Sequence, residues 1–136
     1  MASDTPAVQK SPDAIAATAL IVAIAGWILP GLGHLLLRRW GRAVFLLLAV
    51  GGLALVGFAM RGELFARESG DPFGALGFFA DACSGAFYFL PRVVHWAGPD
   101  VSRAAGDYGT RFLAAAGVVN LLAVLDAIEI STGRRR

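Results

Sequence analysis

The sequence predicts an all-α protein that forms an integral membrane helical bundle, and three observations support this fold class. Hydrophobic residues make up 57% of the 136 residues and charged residues only 16%, whereas soluble domains average about 25% charged residues. The hydrophobic residues form long blocks, which is typical of membrane-spanning helices. Arginines cluster directly beside these blocks, as they do at membrane surfaces. We therefore expect about four transmembrane helices, or alternatively three with one further interfacial helix.

The chain opens with a polar tail and then a first apolar block. Residues 1–13 carry few large apolar groups, so they cannot bury enough surface to offset the entropy of ordering, and we expect a disordered tail. The block from Ala14 to Leu37 can cross about 30 Å of hydrocarbon, with a kink near Pro30. Ala23-Ile24-Ala25 fits a signal-peptide cleavage site, but the apolar run continues past it, which favours a retained helix.

A second block follows a short basic turn. Arg38, Arg39, Trp40 and Arg42 combine positive charge with an interfacial aromatic ring, so we predict that they anchor the chain at the membrane surface. The uninterrupted apolar run from Ala43 to Met60 is the second predicted span.

Two further blocks complete a single membrane domain of residues 14–131. The third, from Phe73 to Trp96, contains Asp81, several glycines and Pro91-Arg92, so it either spans the bilayer or lies at the interface. The last, from Arg111 to Ile130, is predicted to span and precedes a basic tail of residues 132–136.

The arginines leave the orientation of the termini open. Lysine and arginine in short loops favour the cytoplasmic side. If all four blocks span, the two sides of the membrane carry equal numbers of these residues. If the third block does not span, the clusters at 38–42 and 134–136 fall on one side. We expect Arg38 to Arg42 to face the cytoplasm.

Small residues recur along one face of the first and last spans. Small-residue stripes let helices approach closely within a bilayer, and an asparagine in such a stripe can hydrogen-bond across the contact. We predict helix packing through both stripes, either against each other or between two copies of the chain. The packing residues are Ala19, Ala23 and Gly26 in the first span and Ala116, Ala123 and Ala127 in the last.

Four polar residues within the apolar blocks are candidates for function: His34, Asp81, Asn120 and Asp126. Polar groups inside a membrane are costly unless they are paired or face water. His34 follows a proline-glycine break, so it either serves as a relay or ligand group or simply lies near the headgroups of a kinked hairpin. Asp126 lies near the end of its span and is expected to anchor it, whereas Asp81 is either a proton or ion site or part of a wet interfacial helix.

The residues predict neither catalysis nor a cofactor. Cys83 is the single cysteine, which excludes a disulfide within the chain and a cysteine metal cage. No nucleophile and base pair up in the sequence, and the net charge of +2 is too small to indicate nucleic-acid binding. We predict a protein that is not an enzyme, has no metal or cofactor, and binds the bilayer and another membrane protein or itself as an interaction or accessory subunit. The alternative is a small oligomeric channel or transporter.

Two regions of the chain resemble known families. The segment from Pro30-Gly31-Leu32-Gly33-His34 to Gly41-Arg42 resembles the hairpin of the two-helix TM-two membrane domain, although Leu35-Leu36-Leu37 and Trp40 replace its usual Phe-Tyr-Leu-Gly segment. In combination with Asp107-Tyr108-Gly109-Thr110, Ala116-Gly117, Asn120-Leu121-Leu122 and Leu125-Asp126-Ala127, it resembles an uncharacterised family of small bacterial membrane proteins, domain-of-unknown-function family 6677. This resemblance implies a multi-pass protein of the bacterial inner membrane and brings no catalytic residue.

Overall fold

The secondary structure consists of α-helices. The structure, a computed structural model, describes residues 11–65, 71–94, 98–100 and 102–134, and the predicted all-α bundle is confirmed. Residues 1–10 of the predicted tail, His95, Trp96, Arg135 and Arg136 lie outside the described residues. The helices are α1 (Pro12–Ile28), α2 (Leu32–Leu36), α3 (Trp40–Ala59), α4 (Pro72–Ala82), α5 (Ala86–Val93) and α6 (Ala104–Ser131).

Two of the helices begin at matching sequence signals. Ser11 precedes Pro12 at the start of α1, and its hydroxyl accepts a hydrogen bond from the Ala14 N–H at 3.3 Å. Asp71 precedes Pro72 at the start of α4, and its carboxylate accepts from the N–H groups of Phe73 and Gly74. A capping oxygen followed by proline satisfies N–H groups that have no partner within the helix, so both starts are fixed locally.

Helix α6 is the centre of the molecule, because α1, α3 and α4 all pack against it. Its buried face consists almost entirely of small side chains, which allow three other helices to approach its backbone. The helix begins seven residues before the predicted span at Arg111, since the segment from Ala104 is helical. The buried residues of α6 are Gly106, Gly109, Leu113, Ala116, Gly117, Asn120, Ala123 and Ala127.

Helix α3 runs antiparallel to α6 along nearly its whole length. Arg42 near the start of α3 contacts Asp126 near the end of α6, and at the other extremity Gly57 lies against the Gly109 carbonyl. Between these points the two helices form an apolar core. This core contains Val50, Ala54 and Phe58 of α3 and Leu113 and Ala116 of α6. We call the two extremities of the bundle the Asp126 end and the Arg61 end.

Helices α1 and α2 form a hairpin that enters the bundle from the Asp126 end. Helix α1 reaches only the level of Asn120, near the middle of α6, where its Trp27 carbonyl meets the asparagine side chain. The chain then turns back at Pro30-Gly31, and His34 of α2 contacts Asp126. The predicted break near Pro30 is therefore present, and it reverses the chain rather than kinking a single span.

Helices α4 and α5 form a second hairpin from the opposite end. Helix α4 runs parallel to α6, with Ala80 beside Gly117 and the Cys83 carbonyl at Asn120. An angle of 89° separates α4 from α5. Phe87 near the start of α5 lies beside Gly51 of α3, and the carbonyl of Gly98, which follows α5, accepts a hydrogen bond from Arg61 Nε at 3.0 Å. The hairpin therefore returns to the Arg61 end, from which it entered.

Two of the described helices, α3 and α6, are long and apolar enough to cross a membrane, and a third crossing is counted if the bent pair α4 and α5 is taken as one span. At 1.5 Å per residue, the 20 residues of α3 extend about 30 Å, the thickness of the hydrocarbon core. Helix α1, with 17 residues, belongs to the shorter apolar helices. The predicted first span, Ala14 to Leu37, is thus divided between α1 and α2.

Candidate functional site

The tips of the two hairpins meet at one side chain, Asn120, and we call this contact the hairpin junction. The Asn120 Nδ2 group donates to the Cys83 carbonyl at 2.8 Å and to the Trp27 carbonyl at 3.3 Å. The Trp27 indole N–H donates to the Ala82 carbonyl at 3.1 Å. These carbonyls belong to helix ends, where no intrahelical N–H is available to them. The junction residues Trp27, Ala82, Cys83 and Asn120 are therefore joined by hydrogen bonds across three helices.

Glycines make this close meeting of backbones possible. Gly85 follows the end of α4 with a φ of 63°, a left-handed conformation that side chains disfavour. A Cβ atom there would collide with the Trp27 carbonyl oxygen, and one at Gly117 would collide with the Ala80 carbonyl oxygen. The junction thus depends on the absence of side chains at both positions.

Asp81 immediately precedes the junction residue Ala82 and is completely buried, with 0% of its surface exposed. Its Oδ2 atom accepts a hydrogen bond from the Phe65 N–H at 2.7 Å. Its Oδ1 atom and the Oδ1 atom of Asn120 are buried with no hydrogen-bond partner in the part of the chain that the structure describes. The side chain therefore ties the segment after α3 to α4 and leaves one carboxylate oxygen unpaired among the described residues.

A second polar cluster joins α2, α3 and α6 at the Asp126 end. His34 is 1% exposed, and its Nε2 atom lies 2.9 Å from Asp126 Oδ2, so the imidazole N–H donates to the carboxylate. Arg42 Nη1 donates to the same oxygen at 3.0 Å. Asp126 therefore links α6 to α2 and α3.

An open cavity of about 450 Å³ adjoins this cluster between α3 and α6, and we call it the arginine groove. Its charged residues are at the Asp126 end, and its remaining lining is apolar. The lining residues are His34, Arg42, Phe45, Leu46, Val119, Leu122, Ala123 and Asp126.

The Arg61 end carries an exposed set of charges. Asp100 Oδ2 lies 3.7 Å from Arg61 Nη1 and 3.5 Å from Arg103 Nε. A hydrogen bond from the Ser102 hydroxyl, assisted by the two arginines, holds the pKa of the Asp100 carboxyl below its ordinary value. Exposed pairs of this kind contribute little to stability.

The structure brings the four predicted polar residues into two places. Asn120 and Asp81 lie at or beside the hairpin junction, and His34 and Asp126 contact each other at the Asp126 end. The packing residues on α6, Ala116, Ala123 and Ala127, are buried. On α1 the buried residues are Val22 and Gly26, whereas Ala19 and Ala23 are half-buried.

The predicted surface anchors lie in and beside the turn before α3. Arg38 and Trp40 are exposed and Arg39 is half-buried, so the predicted surface anchors form the basic turn at the Asp126 end. Sequence reasoning missed the pairing of His34 with Asp126, 92 residues apart. It also did not predict the hydrogen bond from the Trp27 indole N–H to the Ala82 carbonyl. The high cost of an unpaired polar group in an apolar helix is the signal that such partners exist.

Among the residues that the structure describes, no three His, Cys, Asp or Glu side chains converge as a metal-binding group. The fold and these contacts define a class: all-helical proteins with long apolar helices of membrane-spanning length, in which buried polar side chains join the helices. The chain belongs to the DUF6677 family of unknown function, whose family model matches residues 21–136. No curated protein and no solved structure matches it. The resemblance to the TM-two hairpin stays a prediction.

Proposed function

We propose that the protein is a multi-pass integral protein of the bacterial inner membrane. The support is the outer surface of α3, α4 and α6, which exposes large apolar side chains to an extent that water-soluble proteins rarely tolerate. In this proposal α3 and α6 cross the bilayer, and the two hairpins enter it from opposite sides. The exposed apolar residues include Phe45, Leu48 and Leu55 on α3, Phe73, Leu76 and Phe79 on α4, and Leu122 and Leu125 on α6.

Within that membrane we propose a role without catalysis, as an interaction or accessory subunit. The single observation behind it is that all four candidate polar side chains, His34, Asp81, Asn120 and Asp126, form hydrogen bonds between helices or segments of the same chain. Side chains that hold a fold together through such hydrogen bonds are fixed in one position. The apolar outer faces then remain as the surfaces through which the protein can contact a partner or a second copy.

The test is photo-cross-linking in the native membrane. A photoreactive residue at Phe73, which is 83% exposed on α4, is expected to capture a defined protein partner or a second copy of the chain. The matched control is Val50, which is fully buried and should give only products within the chain. If Phe73, Leu76 and Phe79 capture lipid alone, the interaction role is wrong.

A second function, transport of a cation, is favoured by a different observation. Two helices approach each other with their C-terminal ends, which carry partial negative charge, and buried oxygens without partners lie there on Asp81 and Asn120. Broken helices that meet at the centre of a bundle are typical of transporter sites. We expect proton or sodium flux into proteoliposomes under this proposal, and its loss in Asp81→Asn. Absence of flux in liposomes containing correctly folded protein would contradict it.

A further inference from the structure

The arginine groove combines one charged end with an apolar remainder. Along α3 the lining passes from Arg42 to Phe45 and Leu46, and along α6 it passes from Asp126 to Leu122 and Val119. Both series run from the Asp126 end toward the middle of the bundle. The polarity of the groove therefore follows the axis of the long helices.

The more exposed charge at this end is positive. The Arg42 side chain is 45% exposed and the Asp126 side chain 22%. Only the Nη1 group of Arg42 has a hydrogen bond among the described residues, whereas a guanidinium has five N–H donors. Because His34 and Arg42 both donate to Asp126 Oδ2, the guanidinium is held at the groove with donors left for a second anion.

The apolar part of the groove is open to the surroundings of the bundle. Phe45 is 68% exposed and Leu122 is 60% exposed, so an extended hydrocarbon chain could lie along them between α3 and α6. Arg38 and Arg39 directly precede α3, at whose start Arg42 lies, and they raise the positive charge at this end. Arginine beside a membrane surface attracts anionic headgroups and forms paired hydrogen bonds with phosphate.

From these contacts we infer that the arginine groove binds an anionic phospholipid, with its phosphate at Arg42 and an acyl chain against Phe45 and Leu122. The inference rests on the proposed membrane insertion and adds a specific lipid site to it. A zwitterionic lipid has the same hydrocarbon but carries no net charge. The groove should therefore distinguish phosphatidylglycerol from phosphatidylcholine.

The test is native mass spectrometry of the full chain purified in detergent, with each lipid added in turn. We expect phosphatidylglycerol to bind more tightly than phosphatidylcholine and Arg42→Gln to weaken phosphatidylglycerol about fivefold, as one arginine near the surface contributes. The matched control is Arg111→Gln, which removes an exposed arginine that pairs with Asp107 at 2.8 Å near the other end and should leave binding unchanged. A bulkier Leu122→Trp should also weaken binding without changing any charge.

Three results would overturn the lipid site: equal binding of the two lipids, equal effects of the two arginine variants, or no effect of Leu122→Trp in folded protein. Circular dichroism of each variant establishes that it is folded, and Leu122→Trp remains decisive if Arg42→Gln does not fold. Membrane insertion itself is tested separately by extraction of native membranes at alkaline pH. A protein that stays in the membrane pellet but shows no lipid preference contradicts the groove alone, whereas release into the supernatant contradicts membrane insertion.

Discussion

Replacing Asn120 with alanine is expected to destabilise the bundle, because this side chain holds the tips of both hairpins. The change removes a hydrogen bond of 2.8 Å to the Cys83 carbonyl and a weaker one of 3.3 Å to the Trp27 carbonyl. Both carbonyls lie at helix ends and lose this side-chain donor. A buried polar group without its partner costs about 1–3 kcal/mol, and side-chain hydrogen bonds inside membranes average about 0.6 kcal/mol with a maximum near 1.7. We expect the free energy of unfolding to fall by about 1–3 kcal/mol.

The assay is reversible unfolding in mixed detergent micelles, followed by circular dichroism. Val118→Ala is the control, because Val118 is 46% exposed on the same helix and its truncation should change stability by less than about 0.5 kcal/mol. A double-mutant cycle with Trp27→Phe should show coupling above about 0.5 kcal/mol, since both side chains act in one network. If Asn120→Ala and Val118→Ala have equal effects, Asn120 does not hold the hairpin tips together.

The remaining predictions concern backbone contact and the hydrogen bond between His34 and Asp126. Gly117→Ala places a Cβ against the Ala80 carbonyl and should lower the free energy of unfolding by about 1–3 kcal/mol. A Cβ added at Gly52 would meet no atom within 4 Å, so Gly52→Ala should leave this free energy unchanged or raise it by up to about 1 kcal/mol through helix propensity. The same unfolding assay measures both variants, and an equal loss of stability in the two would contradict the close packing at Gly117. Asp126→Ala leaves the buried His34 without this partner and should cost about 1–3 kcal/mol, while Asp107→Ala breaks only an exposed pair and should change stability by less than about 0.5 kcal/mol. Equal losses of unfolding free energy in Asp126→Ala and Asp107→Ala would show that the buried contact of His34 with Asp126 does not stabilise the fold.

Hydrophobic blocks were sufficient to predict an all-helical bundle, whereas the predicted blocks 14–37 and 73–96 are each divided between two helices. A long apolar run has few alternatives to a helix in a membrane, because every backbone group must be satisfied within the segment. Proline and glycine at residues 30 and 31 also predicted where the first block breaks. The sequence could not show that the break reverses the chain, since the direction of the return depends on contacts with α3 and α6.

The candidate site was predictable as a set of residues and not as an arrangement. Polar residues in apolar helices are costly, so His34, Asp81, Asn120 and Asp126 could be selected from their positions within apolar blocks of the sequence. Their partners could not be selected, because Asn120 bonds to backbone carbonyls that have no sequence signature, and His34 and Asp126 are 92 residues apart. The two polar clusters are separate because the ends of α1 and α4 meet α6 at Asn120, whereas α2 and the start of α3 meet it at Asp126.

The most direct test of this account is the topology of the chain, measured with reporter fusions after Arg42, Gly70, Gly98 and Arg136. If α3 and α6 cross the membrane and α4 and α5 form a hairpin that returns to its own side, fusions after Gly70 and Gly98 report the same side. Fusions after Arg42 and Arg136 then both report the opposite side, which we expect to be cytoplasmic. Opposite sides for Gly70 and Gly98 would show that α4 and α5 cross the bilayer, and would contradict the arrangement of two crossing helices and two opposed hairpins.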